Sequence, residues 1–227
     1  MDLGSIRLGV IALAMVFAVN ARATVPDAAD HSIKKFLAQG DTQRPYRAIR
    51  RLEAENGDRK GWLEAITEYS PETGFRYEIT AEGGAGSIRA KVLRAVLDGE
   101  RDLIARGEMA RSSLAPANYT FQANGIDADG FANVLLSPRR KERVLVSGMM
   151  ALTLADGALV QLRGRLAKSP SFWIKNVDIV RTYERIDGHV VPVALDTKAQ
   201  MRFLGEASLR MTYVYSEIDG RQVASSH

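Results

Sequence analysis

Few residues in this 227-residue chain have both the type and the spacing to do chemistry. Gly83-Gly84-Ala85-Gly86 leads into a helical stretch, where phosphate-binding loops are found. No Lys-Ser or Lys-Thr pair follows it and no parallel βαβ pattern surrounds it. The plainer reading is a set of glycines that permit a sharp turn into the helix. Asp127-Ala128-Asp129-Gly130 opens like a calcium loop. Further oxygen ligands and a terminal Glu are missing, and Arg139 and Arg140 lie downstream instead. That stretch reads as a hairpin turn. His31, His189 and His227 have no metal-ligand spacing among them. No serine stands in a G-x-S-x-G elbow. Cysteine is absent, which excludes disulfides, thiolate metal sites and a cysteine nucleophile. Carboxylates are plentiful, but no pair is singled out for acid–base work. The expectation is a protein that is not an enzyme and needs no metal or cofactor.

Two stretches invite binding rather than catalysis. Ser137-Pro138-Arg139-Arg140-Lys141 gathers three cations at a corner. They would suit an anionic head group or a partner, although a solvated turn is the plainer reading. Phe172 and Trp173 open a strand that is apolar on both faces. Phe172, Ile174 and Val180 share one face, and Trp173, Val177, Ile179 and Tyr183 the other. Such a strand is covered on both sides, or lines a cavity on one.

The elements that must position these residues are mostly strands. Runs over 158–167, 172–183, 190–203 and 207–217 alternate apolar and polar residues between turn signals, the mark of half-buried antiparallel strands. On the third, Val191, Val193, Leu195, Ala199, Met201 and Phe203 share a face; on the fourth, Leu209, Met211, Tyr213 and Tyr215 do. Upstream, 46–55, 62–69, 75–81, 118–124, 131–136 and 143–154 read the same way, although 46–56 also fits a helix. Asp30–Ala38 reads as a short helix after a loose tether at Thr24–Ala29. Ile88, Val92, Val96, Gly99 and Leu103 recur at helical spacing in a long helix, with Ser87 as its expected cap and Gly107 as its stop. The prediction is an α+β fold. About nine strands form a curled antiparallel sheet, a half-barrel covered on its concave face by one long and one short helix.

Composition narrows the class. Hydrophobic residues make up 46% of the chain and charged residues 26%, which is that of a folded protein. The net charge of +4 is spread along the chain with acids between the cations, so no nucleic-acid stripe is indicated. Arg7, the 12-residue apolar run Leu8–Val19 and the Ala21-Arg22-Ala23 pattern form the three parts of a cleavable export signal. The expected organisation is a leader over 1–23, cleaved after Ala23, and one domain over 24–227, located in a periplasm.

An export signal, a short helix, three strands, a helix and a long meander resemble the LolA/LolB-like superfamily of periplasmic lipoprotein and lipid carriers. Segments such as Tyr46-Arg-Ala-Ile-Arg-Arg-Leu-Glu-Ala54 and Asp156-Gly-Ala-Leu-Val-Gln-Leu-Arg-Gly-Arg165 share the style of that group. The resemblance implies a half-barrel whose apolar concave face holds acyl chains under helices. It also implies a soluble carrier rather than an anchored receptor, since no cysteine can be lipidated. The residues expected to line the apolar face are Val160, Leu162, Trp173, Val191, Val193, Met201, Met211 and Tyr213, with Arg139, Arg140 and Lys141 for a head group or partner. Expected partners are lipid or lipoprotein acyl chains and envelope proteins of the inner or outer membrane, with no nucleic acid, and the expected state is a monomer. The competing expectation is a non-catalytic envelope interaction module with a solid core.

Overall fold

The computed structural model describes residues 25–40, 43–202 and 205–223. The expected leader over 1–23 lies outside the described residues, as do Phe203, Leu204 and His227. The meander forms as its alternation predicts: β7 (Leu159–Leu166), β8 (Ile174–Ile186), β9 (His189–Met201) and β10 (Gly205–Ile218). Upstream strands are β1 (Tyr46–Asn56), β2 (Arg59–Ser70), β3 (Gly74–Gly84), β4 (Tyr119–Ile126), β5 (Ala132–Pro138) and β6 (Val146–Leu152). The short β11 (Arg221–Gln222) folds back on β10. The segment 46–56 is therefore strand, not helix. Its side chains are buried at every second position from Ala48 to Ala54, a period of two that a helix cannot provide.

All eleven strands join one antiparallel sheet in the order β3-β2-β1-β10-β9-β8-β7-β6-β5-β4, with β11 beside β10. Most neighbours are consecutive hairpins. The exception is β1 against β10, which brings Tyr46 opposite Ile218 and joins the two ends of the chain. The sheet curls but does not close, because β3 and β4 remain its two edges.

Two helices lie on the concave face. Helix α1 (Val25–Gln39) starts earlier than the expected 30–38, so much of the expected tether is helical. It ends at Gly40, whose φ of 69° suits a glycine stop. Its Ala29 and Ile33 are buried against Tyr119, Val134, Leu136 and Met150. A turn at 154–157 receives it. Lys35 Nζ donates to the Ala155 carbonyl and Gln39 Nε2 to the Asp156 carbonyl. Gly157 lies so close that a Cβ there would be 2.6 Å from the Ser32 carbonyl oxygen and 2.7 Å from the Phe36 nitrogen.

Helix α2 spans 86–105, with a wider π-type turn at Arg89–Leu93 between α-helical ends. Ser87 does not cap it. Ala85 takes the cap position, and its carbonyl accepts from the nitrogens of Ile88 and Arg89. At the other end Glu108 N bonds the Leu103 carbonyl and Gly107 N the Ile104 carbonyl, a Schellman stop around Gly107. Ile88, Leu93 and Leu97 are buried against Leu52, Leu63 and Phe75. The core is thus two clusters, one under each helix. The Gly83–Gly86 stretch belongs to the cluster under α2 as packing. A Cβ on Gly83 would be 2.7 Å from the Trp62 ring, and one on Gly84 would be 2.4 Å from the Lys60 carbonyl oxygen.

Candidate functional site

The two helices divide the concave face unequally. Helix α1 packs on β4, β5 and β6, and α2 packs on β1, β2 and β3. The middle of the sheet, β7 to β10, lies between them. Buried and half-buried apolar side chains floor this gap: Leu162 from β7, Val177 and Ile179 from β8, Leu195 and Ala199 from β9, Met211 and Tyr213 from β10. Directly paired residues in an antiparallel ladder share a face, so the register identifies a single rung that crosses it. Met150 faces Leu162, Leu162 faces Arg181, Arg181 faces Leu195, Leu195 faces Met211 and Met211 faces Leu52. One cation interrupts an otherwise apolar row.

A second cation lies one rung away. The Arg50 side chain is only 2% exposed on the inward face of β1. Its terminal nitrogens are engaged, although its Nε, like that of Arg181, is buried without an acceptor: Nη1 donates to Glu100 Oε2 at 2.6 Å and Nη2 to Glu100 Oε1 at 3.0 Å. Nη2 also donates to the Tyr46 hydroxyl. The rings of Tyr213, Phe75 and Tyr46 surround the guanidinium at 4.7, 5.0 and 5.6 Å. Tyr213 stacks on Tyr215, whose hydroxyl donates to the Pro192 carbonyl. Burial pushes the phenols of Tyr46 and Tyr215 well above their ordinary range, so both stay neutral at any physiological pH.

Arg181 lacks such a clamp. Its guanidinium lies over the Tyr183 ring at 5.6 Å, and its Nε is sealed from solvent with no hydrogen-bond acceptor. Tyr183 first, then Tyr213, Glu100 and Tyr215, hold it in the charged form against desolvation. Among the described residues no carboxylate lies within ion-pair distance of it.

Tyr183 is also a wall of a cleft of about 520 Å³, within the range of small-molecule sites. Phe36, Leu37, Leu114, Leu159 and Val190 make its apolar lining, and Arg44, Asp156, Arg185 and His189 its polar rim. Arg44 pairs with Asp219 at 2.9 Å and Arg185 pairs with Asp156. Asp156 is held below the usual carboxylate range, mainly by the Thr153 hydroxyl and further by the Ala158 nitrogen and Arg185.

The chain is similar to several solved structures. A LolA superfamily protein from Nitrosomonas europaea is 10% identical, over 86% of this chain and 94% of that chain, with a TM-score of 0.44. A DUF1329 family protein from Desulfovibrio piger is 12% identical, over 83% and 90%, with a TM-score of 0.39. The MucA/MucB complex of Pseudomonas aeruginosa gives 11% identity, 88% and 99%, and a TM-score of 0.23. No family model matches the chain, and no curated protein matches it significantly.

The expected lining residues do not all meet. Leu162 and Met211 stand on the rung with Arg181, Tyr213 lies beside it, and Val191 is buried in the cluster under α2. Val160 and Val193 fall where the pairing shifts, each skipped between its neighbours, and both are half-buried. Met201 lies at the far end, half-buried, in a separate depression with Lys175 and Gln200. Trp173 is 60% exposed just before β8, edge-on to Phe172 at 5.6 Å. At the basic corner, Arg139 Nε donates to the Pro116 carbonyl, Arg140 pairs with Glu142, and Lys141 is exposed. Among the described residues no cluster of three or more His, Asp or Glu could hold a metal ion. Asp127 serves its turn, accepting from the nitrogens of Asp129 and Phe131.

Arg50 and Arg181 are absent from the residues singled out by type and spacing. The signal for both is in the alternation. Arg50 has the parity of Ala48 and Leu52, and Arg181 that of Ile179 and Tyr183. A cation at an inward position of an apolar strand is the mark to look for.

Proposed function

We propose that this chain is a non-catalytic envelope protein, exported to a periplasm, that holds acyl chains in the trough between its two helices. The observation that carries this reading is the apolar inward face of β7–β10, whose Leu162 joins the cluster under α1 and whose Met211 and Tyr213 join the cluster under α2, while Ile179, Leu195 and Ala199 between them stay only half-buried. A face of this kind gains stability from an apolar ligand at roughly 0.8 kcal/mol per buried methylene, so part of one chain already gives useful affinity. The cleft bounded by Phe36, Leu37, Leu159 and Tyr183 gives the chain its entry, with the charged rim left in water. The curl of the sheet and the open edges at β3 and β4 allow the two helices to separate without breaking a strand pair.

Native mass spectrometry of the protein purified from bacteria tests the reading, together with saturable uptake of a fluorescent fatty acid. The expected result is a bound acyl species or stoichiometric uptake near one chain per protein. Absence of both overturns it.

A further inference from the structure

Arg50 and Arg181 face inward on neighbouring rungs, and Glu100 clamps only the first of them. Glu100 spends both oxygens on Arg50, at 2.6 and 3.0 Å. Arg181 stands between Leu162 and Leu195 beside the Tyr183 ring; Glu100 acts on it only at longer range, and among the described residues no carboxylate pairs with it. An arginine does not lose its proton in a protein, so it cannot relieve this by neutralising. A half-buried charge without a counterion is costly, and each unmet donor adds to the cost. The arrangement is that of a site with one anion missing.

We propose that Arg181 is the head-group anchor of the trough, and that the ligand is a long-chain carboxylate whose two oxygens take the guanidinium fork. This rests on the acyl-binding reading above and names its ligand class. The missing charge is a single one, which a carboxylate supplies and a phosphate dianion exceeds. The planar fork suits a bidentate carboxylate. The apolar residues on both sides of Arg181, Leu162 and Leu195, place the methylenes next to the anchor. Tyr183, whose ring Arg181 covers, links the anchor to the cleft of about 520 Å³. The carboxylate thus lies inside and the chain runs along the apolar lining. The basic corner at Arg139–Lys141 is not required for the head group.

The test is displacement of bound Nile red, a neutral probe, by palmitoleate, by palmitoleyl alcohol and by palmitoleoyl lysophosphatidic acid. It is run on the wild type, Arg181→Met and Arg181→Lys. The proposal predicts that wild type prefers the acid to the alcohol by roughly tenfold or more, the worth of a charge-assisted hydrogen bond. Arg181→Met abolishes that preference by weakening the acid alone, and Arg181→Lys keeps part of it. The ligand-free Met variant melts no lower than wild type, because it loses an unpaired charge. Equal affinity of acid and alcohol in wild type overturns the anchor but leaves acyl binding standing. Displacement by neither sinks both. Tighter binding of the lysophosphatidic acid overturns the carboxylate assignment, and a Met variant that fails to fold shows Arg181 to be structural.

Discussion

Glu100 carries both hydrogen bonds that neutralise the Arg50 fork, and Arg50 is almost wholly buried. Removing one partner of such a pair leaves a buried charge alone, whereas replacing both with apolar groups does not. Glu100→Gln is therefore expected to lower the unfolding free energy by about 3 kcal/mol in urea melts, the low end for a buried pair because Glu100 keeps some contact with water. Arg50→Met combined with Glu100→Leu recovers most of that loss, and a double variant as unstable as Glu100→Gln would contradict the account. The pair shows where reading by sequence stops. That residue 50 points inward follows from its place between Ala48 and Leu52. That its counterion lies 50 positions away on a helix does not, because nothing local fixes which turn of α2 passes over β1. Arg181 is the same case without the counterion.

The turn after β6 is the element that seats α1. Gly157 has φ of 73°, and a Cβ there would press on the Ser32 carbonyl and the Phe36 nitrogen. Gly157→Ala thus combines an unfavourable backbone conformation with a clash against a helix. It should cost roughly 2–4 kcal/mol, with amide exchange accelerated first across 28–39. Uniform acceleration would instead mean that α1 does not move as a unit. Asp156 in the same turn gives a pH signature. Its folded pKa is depressed, so its contribution to stability is present above the unfolded carboxylate value near ~3.9 and is lost as pH falls through the lower folded value. Asp156→Asn should melt below wild type at pH 7, with the gap closing as pH approaches 2. A constant gap would contradict the assignment. At this scale most strands were legible from alternation, but ends were not. Strand β6 begins at Val146 rather than 143, because Glu142, held by Arg111 and Arg140, keeps 142–145 in a turn. The start of α2 misled for a different reason. Ser87 has the right chemistry for a cap, but the chain turns one residue pair earlier, at Ala85.

For the whole molecule, consecutive hairpins are written locally in turn residues, so the order of β1 to β3 and of β4 to β10 could be read along the chain. The pairing of β1 with β10 could not, since it joins Tyr46 to Ile218 through packing alone. That pairing curls the sheet and gives it a middle, and the trough follows from it. Neither helix reports from its own sequence that it will settle on a flank. The central claim is that an acyl chain lies on the inward face of β7–β10. The methionine methyls sample both faces: Met211 and Met201 lie on the inward rungs of β10 and β9, while Met149 on β6 is paired with Arg163 on the outward side. The most direct test is a titration of methyl-labelled protein with palmitoleate, followed by NMR. Shifts concentrated at Met211, with Met149 unmoved, are the predicted result. Shifts confined to Met149, or none at saturating lipid, would contradict the claim.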